Sequence, residues 1–289
     1  MISFKENYVA DVKYFVFNGG EVQVSVPERV RDWGDAQIMI QAWLTSSNDV
    51  MALLLATDAL RRLYKGVALD VHLQLFYFPY ARQDREMVVG ESHALKVFAN
   101  LINAQQYTSV TVLDPHSDVT SALLDRVIIM DQSHIFKQGR FEYGAPMDHL
   151  PNLRETIFIA PDAGAMKKVQ KLAETFEAKG VLFAHKVRDV KTGKITHTEF
   201  HGDVEDQQLL VIDDICDGGR TFIELARVLE TKHPKSVDLF VTHGIFSHGY
   251  DELKAHFNRI YSTNSFHQGA VGPKRPDGVI DQQFHFFQL

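Results

Sequence analysis

Apolar positions run through this chain in two rhythms, and their order predicts its architecture. Phe15 and Phe17 precede Asn18-Gly19-Gly20, and Val22, Val24 and Val26 alternate after it. That is the pattern of a hairpin over 14–26. Residues 36–44 read as a strand. Ser46-Ser47-Asn48 can cap a helix whose Val50, Leu53, Leu54 and Leu60 lie mainly on one face, ending near Lys65-Gly66. A strand over 69–78 closes at Pro79, and the charged segment 80–91 reads as turns. A helix over 92–104 follows, with Leu95, Phe98, Leu101 and Ile102 as its core face, then a strand over 109–113.

Between Gln132 and Arg154 the periodicity weakens around Gly139, Gly144, Pro146 and Pro151. A domain boundary is expected there, giving halves 1–142 and 143–289. The second half resumes with a strand over 156–160, a helix running to about Lys179 and a strand over 181–184 that leads to Lys186 and Arg188. Lys191-Thr192-Gly193-Lys194 reads as a hairpin turn. The apolar run Leu209-Leu210-Val211-Ile212 reads as a buried strand, a helix opens at Thr221 and continues through Leu229, and 237–242 is the last clear strand. A Pro/Gly-rich stretch over 272–278 precedes a short aromatic tail. Strands alternating with helices of this length predict an α/β protein with parallel-rich sheets.

Composition narrows the class. Of 289 residues, 45% are hydrophobic and 23% charged, as in ordinary globular proteins, and the net charge of −7 argues against a general nucleic-acid binder. Cys216 is the single cysteine, so no internal disulfide forms. The first residues lack the apolar run of a secretion signal, and no stretch approaches the roughly 20 apolar residues of a membrane span. A cytoplasmic location without membrane partners is the expectation.

The candidate chemistry gathers where strands end. Asp114, Asp162, Asp213 and Asp214 all fall at such places, in both halves, which suggests one polar cleft between two domains. Asp213 and Asp214 can accept hydrogen bonds from sugar hydroxyls, and the turn Asp217-Gly218-Gly219-Arg220-Thr221 at a helix start can hold a phosphate. A capped strand-to-helix turn is the plain alternative. His116 can join Asp114 on a divalent cation or be an ordinary loop histidine. His197 and His201 have HxxxH spacing without a third ligand or a clear helix, so no zinc site is assigned. Oxygen-rich sites favour magnesium. No GxxxxGK[ST] loop or GxGxxG fingerprint is present. Arg82-Gln83-Asp84-Arg85 can meet phosphates and a nucleotide, and Lys186 and Arg188 can neutralise a transferring phosphoryl group.

Taken in order, seven stretches resemble the ribose-phosphate diphosphokinases, also called PRPP synthetases. They are Phe17-Asn18-Gly19-Gly20-Glu21, Asp58-Ala59-Leu60-Arg61-Arg62, Tyr80-Ala81-Arg82-Gln83-Asp84-Arg85, Asp114-Pro115-His116-Ser117, Pro161-Asp162-Ala163-Gly164, Asp213-Asp214 with its loop, and Thr242-His243-Gly244-Ile245-Phe246-Ser247. The resemblance implies two similar phosphoribosyltransferase-type (type I) α/β domains, the N-terminal one binding ATP and the C-terminal one a sugar phosphate, with the active site between them. It implies Mg2+-dependent transfer of the β,γ-diphosphate of ATP to the C1 hydroxyl of ribose 5-phosphate, giving PRPP and AMP for nucleotide biosynthesis. By position, Phe17, Glu21, Arg82, Gln83 and Asp84 would bind ATP. Lys186, Arg188 and His116 would be catalytic, and His116, Asp162 and Asp114 would serve magnesium. Asp213, Asp214, Asp217, Gly218, Gly219, Arg220 and Thr221 would bind the sugar phosphate. A homo-oligomer, dimer or hexamer, is also implied.

The chain departs from the family in three places. Gly19 replaces an acid, the usually basic loop after Arg85 reads Glu86-Met87-Val88-Val89-Gly90-Glu91, and the loop Asp-Thr-Gly-Gly-Thr has become Asp217-Gly218-Gly219-Arg220-Thr221. A planar guanidinium suits a more highly charged anion such as a diphosphate. The same reaction on ADP-ribose, feeding NAD synthesis, is therefore an alternative. A non-catalytic regulatory relative is a third reading, against which the retained Lys186, Arg188, His116 and Asp162 argue.

Overall fold

The computed structural model describes residues 2–5, 9–33, 37–138, 150–188, 195–267 and 283–287. The chain forms two compact units, Met1–Asp131 and Gln132–Leu289. In the first, strands β1 (Ile2–Lys5) and β2 (Val9–Asp11) lead to the hairpin β3 (Lys13–Val16) and β4 (Val22–Ser25). Strand β5 (Gln37–Ala42), helix α1 (Ser47–Leu63), strand β6 (Asp70–Leu75) and helix α2 (Ala94–Ala104) follow. Strand β7 (Ser109–Leu113), the short helix α3 (Asp118–Leu123) and strand β8 (Val127–Met130) complete it. The main sheet has the order β2-β1-β5-β6-β7-β8, parallel from β5 to β8 and antiparallel at β1.

Alternation in β5 and β6 decides which face of this sheet is packed. Ile38, Ile40 and Ala42 sit beside Val71, Leu73 and Leu75 in register, and all are buried in one cluster with the apolar faces of α1 and α2. Their alternate neighbours form polar cross-strand pairs, Gln41 to Gln74 at 2.8 Å and His72 to Ser109 at 2.8 Å. Helix α1 starts where the sequence predicts. Ser46 Oγ accepts from Asp49 N at 3.2 Å while the Asp49 carboxylate accepts from Ser46 Oγ at 2.7 Å and Thr45 N at 3.1 Å, a reciprocal cap. Tyr14 Oη also donates to Asp49, at 3.4 Å, tying the β3–β4 hairpin to the helix start.

The expected strand over 69–78 stops at Leu75. The apolar run continues because Phe76 stacks on Trp43 at 4.1 Å and Phe78 meets Phe98 at 4.8 Å. Phe76 N still donates to Ala42 O at 3.3 Å, but both rings are buried by packing beyond the end of the strand, a distinction hydrophobicity alone does not carry.

The second unit begins with helix α4 (Gln132–Gln138), and the division between the units falls after Asp131, where the sequence suggests one eleven residues later at 142/143. Phe136 of α4 packs against Phe240 at 4.5 Å and Phe176 at 5.5 Å, all in this unit. Next come β9 (Thr156–Ala160), α5 (Met166–Phe176), β10 (Gly180–Arg188), β11 (Ile195–Phe200), β12 (Gln208–Cys216) and α6 (Arg220–Glu230). The last elements are β13 (Ser236–Gly244), α7 (Asp251–His256), β14 (Arg259–Thr263) and β15 (Phe284–Phe287). The order is β11-β10-β9-β12-β13-β14-β15, parallel except where β10 meets β11. Helix α5 ends at Phe176, short of Lys179, because Glu177 adopts a left-handed conformation (φ 53°) and caps it. Every residue of β9 is buried, as expected for a strand covered on both faces. Among the described residues no helix is long and apolar enough to cross a membrane.

Gly244, the last residue of β13, has no room for a side chain. A Cβ there would overlap the Phe246 ring and come within 2.7 Å of Ser262 Oγ. Overpacking of this kind costs about 1–3 kcal/mol. Gly244→Ala is expected to lower Tm by several degrees in a calorimetric melt, and an unchanged Tm would contradict the packing described.

Candidate functional site

The site in the second unit is built on β12. The sequence places Asp213 and Asp214 at the strand end, but the strand runs on to Cys216. Asp213 pairs with Val241, Ile215 with His243 and Cys216 with Gly244. The acids are thus fixed by sheet pairing on both sides of them. The turn follows, and Gly219, in a left-handed conformation at φ 80°, caps α6. Two facts require glycine at 219: the positive φ, and Leu253 Cδ2 only 3.2 Å from where a Cβ would sit. The segment after β13 braces the turn, with Ile245 N and Phe246 N donating to Cys216 O at 2.8 and 3.1 Å and Ser247 N to Asp217 O at 3.2 Å. Phe222 N and Ile223 N donate to Gly219 O. The N–H groups just before them lack an intrahelical acceptor by the geometry of any helix start, which makes the turn suited to an anion.

Asp213 and Asp214 strain against each other electrostatically. Loss of solvent, and then the neighbouring Asp214 charge, hold the Asp213 carboxyl well above the usual carboxylate range, and Asp162 adds to the effect. Asp214 is buried, and Lys168 Nζ approaches its carboxylate at 3.5 Å. Asp162 Oδ1 accepts from Gly164 N at 3.0 Å and Ala165 N at 3.2 Å, which shapes the turn leading into α5. Burial, with the charges of Asp213 and Asp217, pushes the Cys216 thiol up to about 12.

Gln132 organises the same region from below. Its carboxamide is buried and donates both to Asp213 O at 2.8 Å and to Thr242 Oγ1 at 3.2 Å. Thr242 O in turn accepts from Thr263 Oγ1 at 2.7 Å and Ser265 Oγ at 3.1 Å, and Ser265 meets His243 Nδ1 at 2.8 Å. This buried polar network joins the ends of β12, β13 and β14. The sequence reading missed Gln132 and Lys168. Gln132 sits in a stretch of weak periodicity, and Lys168 looks like any lysine on a helix surface.

In the first unit the structure gathers Asp84, Arg85, His116 and Ser117. Arg85 grips the buried Asp84 carboxylate with Nε–Oδ1 at 2.7 Å and Nη2–Oδ2 at 3.0 Å. That hydrogen bonding, helped by Ser117 and by His116 nearby, holds Asp84 down to about 2 against the opposing effect of burial. Arg82, Gln83 and His116 are exposed, and Asp114 is buried with φ 35°. Phe17 and Glu21 close the β3–β4 turn through Phe17 N to Glu21 O at 2.8 Å, and Phe17 stands half exposed beside Phe15, ring centroids 4.8 Å apart. The acidic loop closes on itself, with the Glu91 carboxylate accepting from Met87 N and Val88 N and Glu86 Oε1 from Gly90 N.

The backbones of Lys186 and Arg188 lie in β10, where the register against β11 shifts between Val187 and Arg188. Their side chains, and the expected turn over 191–194, lie outside the described residues, as does the loop over 272–278. His201 pairs with Glu199 at 3.4 Å. Among the described residues no three His, Cys, Asp or Glu side chains converge into a ready-made metal cage. Magnesium does not need one, because it is ordinarily held by one or two carboxylates and substrate phosphates. Asp114 in the first unit and Asp162 in the second each supply a carboxylate of that kind.

The elevated Asp213 carboxyl has a testable sign. A raised value contributes stability below the ordinary carboxylate pKa and loses it as pH rises through the folded value, at about 1.4 kcal/mol per unit of elevation. Asp213→Asn is therefore expected to raise Tm at pH 7 relative to the wild type, with the gap shrinking toward pH 4. A Tm lower at pH 7 than the wild type's would show that Asp213 is not held against its charge.

Two family models match the chain. One, described as the N-terminal domain of ribose phosphate pyrophosphokinase, covers residues 5–105, and the other, a phosphoribosyl transferase domain, covers residues 146–273. The ribose-phosphate pyrophosphokinase of Campylobacter jejuni is 30% identical over 232 residues, covering 80% of this chain and 71% of that protein. The ribose-phosphate pyrophosphokinase of Mycoplasma pneumoniae is 29% identical over 281 residues, 94% of this chain and 79% of that one. Among solved structures, the phosphoribosylpyrophosphate synthetase of Mycobacterium smegmatis shares the fold, with a TM-score of 0.75 at 23% identity over 96% of this chain and 86% of that one. With both domain models in order and relatives matching along most of its length, the chain belongs to the ribose-phosphate pyrophosphokinase family of ATP-dependent diphosphotransferases.

Proposed function

We propose that this protein transfers the β,γ-diphosphate of ATP to the C1 hydroxyl of ribose 5-phosphate, producing PRPP and AMP. The observation that carries this reading is the sequence of parts on β12: an acid pair fixed in the sheet, followed at once by a braced glycine turn opening a helix. Asp213 and Asp214 would accept hydrogen bonds from the ribose diol. The turn Asp217, Gly218, Gly219, Arg220 and Thr221 would hold the 5-phosphate on backbone N–H groups. On the first unit, Arg82, Gln83 and Asp84 would meet ATP and Phe17 and Glu21 its adenine. Lys186 and Arg188 would neutralise charge on the group in transfer. In-line attack at phosphorus asks for positioning and charge neutralisation more than covalent help. Magnesium, held by Asp114, His116 and Asp162, would neutralise phosphate charge when bound. The exposed aromatic strip Tyr14, Phe15 and Phe17 supports a homo-oligomer in which that hairpin meets a second copy, and the enzyme would be cytoplasmic.

Arg220 favours a second acceptor, ADP-ribose, whose diphosphate would meet a guanidinium at the first turn of α6. The Arg220 side chain is 89% exposed, and its partner is Glu224, at 2.7 Å. Such an exposed ion pair is weak and easily exchanged for a ligand anion. Supplying the protein with Mg2+-ATP and each acceptor in turn, and reading AMP and the product by mass spectrometry, tests both readings. PRPP formation is expected. Release of AMP with neither acceptor above background would remove the proposal. Arg220→Thr is expected to raise KM for ADP-ribose about tenfold while changing KM for ribose 5-phosphate less than twofold. Equal effects on the two would exclude a diphosphate role for Arg220.

A further inference from the structure

The turn after β13 delivers a side chain to the anion loop that the family reading does not use. Phe246 is held in a left-handed conformation (φ 49°), and Gly249 N closes the turn onto Phe246 O at 2.9 Å, with Gly249 at φ 77°. A left-handed Phe persists only where its surroundings fix it. Here the ring is buried, and it packs against Tyr250 at 4.9 Å and Phe284 at 5.9 Å. His248 stands at the exposed tip of this turn. Its ring lies on Gly218, so close that a Cβ on that glycine would sit 3.0 Å from His248 Nδ1 and 3.1 Å from Cε1. Ser247 N, one residue earlier, is bonded to Asp217 O, so the ring and the loop are fixed to each other. An imidazole offers an N–H donor, and this one rests against the backbone suited to an anion.

We infer that His248 is a specificity-determining residue that donates a hydrogen bond to the phosphate of the acceptor sugar held on the 217–221 turn. This rests on the reading of that turn as the sugar-phosphate site. Gly218 has two jobs in this arrangement: it brings its own N–H to the anion and clears the space that the imidazole occupies. The acceptor class is a sugar carrying a terminal phosphate or diphosphate, recognised by backbone N–H groups and a ring N–H together.

The test uses the full chain and His248→Phe, which keeps a ring on Gly218 and removes the donor, with His248→Gln as the variant that returns an N–H. His248→Phe is expected to raise KM for the acceptor about tenfold with kcat and KM for ATP unchanged, and His248→Gln to recover part of the loss. An unchanged acceptor KM in His248→Phe would overturn the inference, since a ring that only packs is preserved there. A second readout needs no turnover. Inorganic phosphate and pyrophosphate are expected to raise the wild-type Tm, and to do so less in His248→Phe. Equal shifts, or no shift in the wild type, would count against His248 as an anion ligand. A wild type that uses neither sugar yet shows the His248-dependent ion shift would remove the proposed function and leave this inference standing.

Discussion

Steric closeness around one turn governs the second unit. Gly218 lies under the His248 ring, Gly219 under Leu253, and Gly244 against Phe246 and Ser262. A Cβ would clash outright at Gly244 and crowd a neighbouring side chain at Gly218 and Gly219, and the segments after β12 and β13 approach closely enough for backbone hydrogen bonds. The hydrogen bonds from Ile245, Phe246 and Ser247 to Cys216 and Asp217 follow from that approach. On the proposed reading, a turn braced in this way needs little ordering to take up an anion.

Just before that turn the chain accepts an electrostatic cost. Two carboxylates sit on consecutive residues where sheet pairing holds the strand, and burial together with the Asp214 charge raises the proton affinity of Asp213. Lys168 offsets part of the charge of Asp214, and Gln132 satisfies the Asp213 carbonyl rather than its carboxyl. A fold selected only for stability has no use for such a pair. The first unit shows the opposite arrangement, in which Arg85 satisfies Asp84 and keeps it ionised.

Much of this was legible in the sequence where a residue type admits few interpretations. The runs that became β9 and β12, the Ser46 cap and the glycine turn announced themselves by composition. Strand β14 did not, because Ser262 and Thr263 interrupt its apolar pattern. Both are fully buried, and Thr263 is satisfied by a carbonyl on the neighbouring strand that no local pattern reveals. The same holds for Phe76 and Phe78, which read as strand and serve as packing, and for α4, whose first residue bonds to partners 81 and 110 positions away. The short strand β1 likewise depends on antiparallel pairing with a distant β5, and β2 pairs in turn with β1. Resemblance to a family supplied the order of the site's parts. It did not supply the contacts that hold them, such as the grip of Arg85 on Asp84 or the seat of His248 on Gly218.

The buried Cys216 has one more consequence. Its sulfur sits at the base of the anion turn, and its neighbours' charges and its burial suppress the thiolate, the form that reacts with oxidants and alkylating reagents. The chain's single cysteine is also a built-in clock for local opening, because a thiol reagent gains access to it only in the moments when the end of β12 parts from β13.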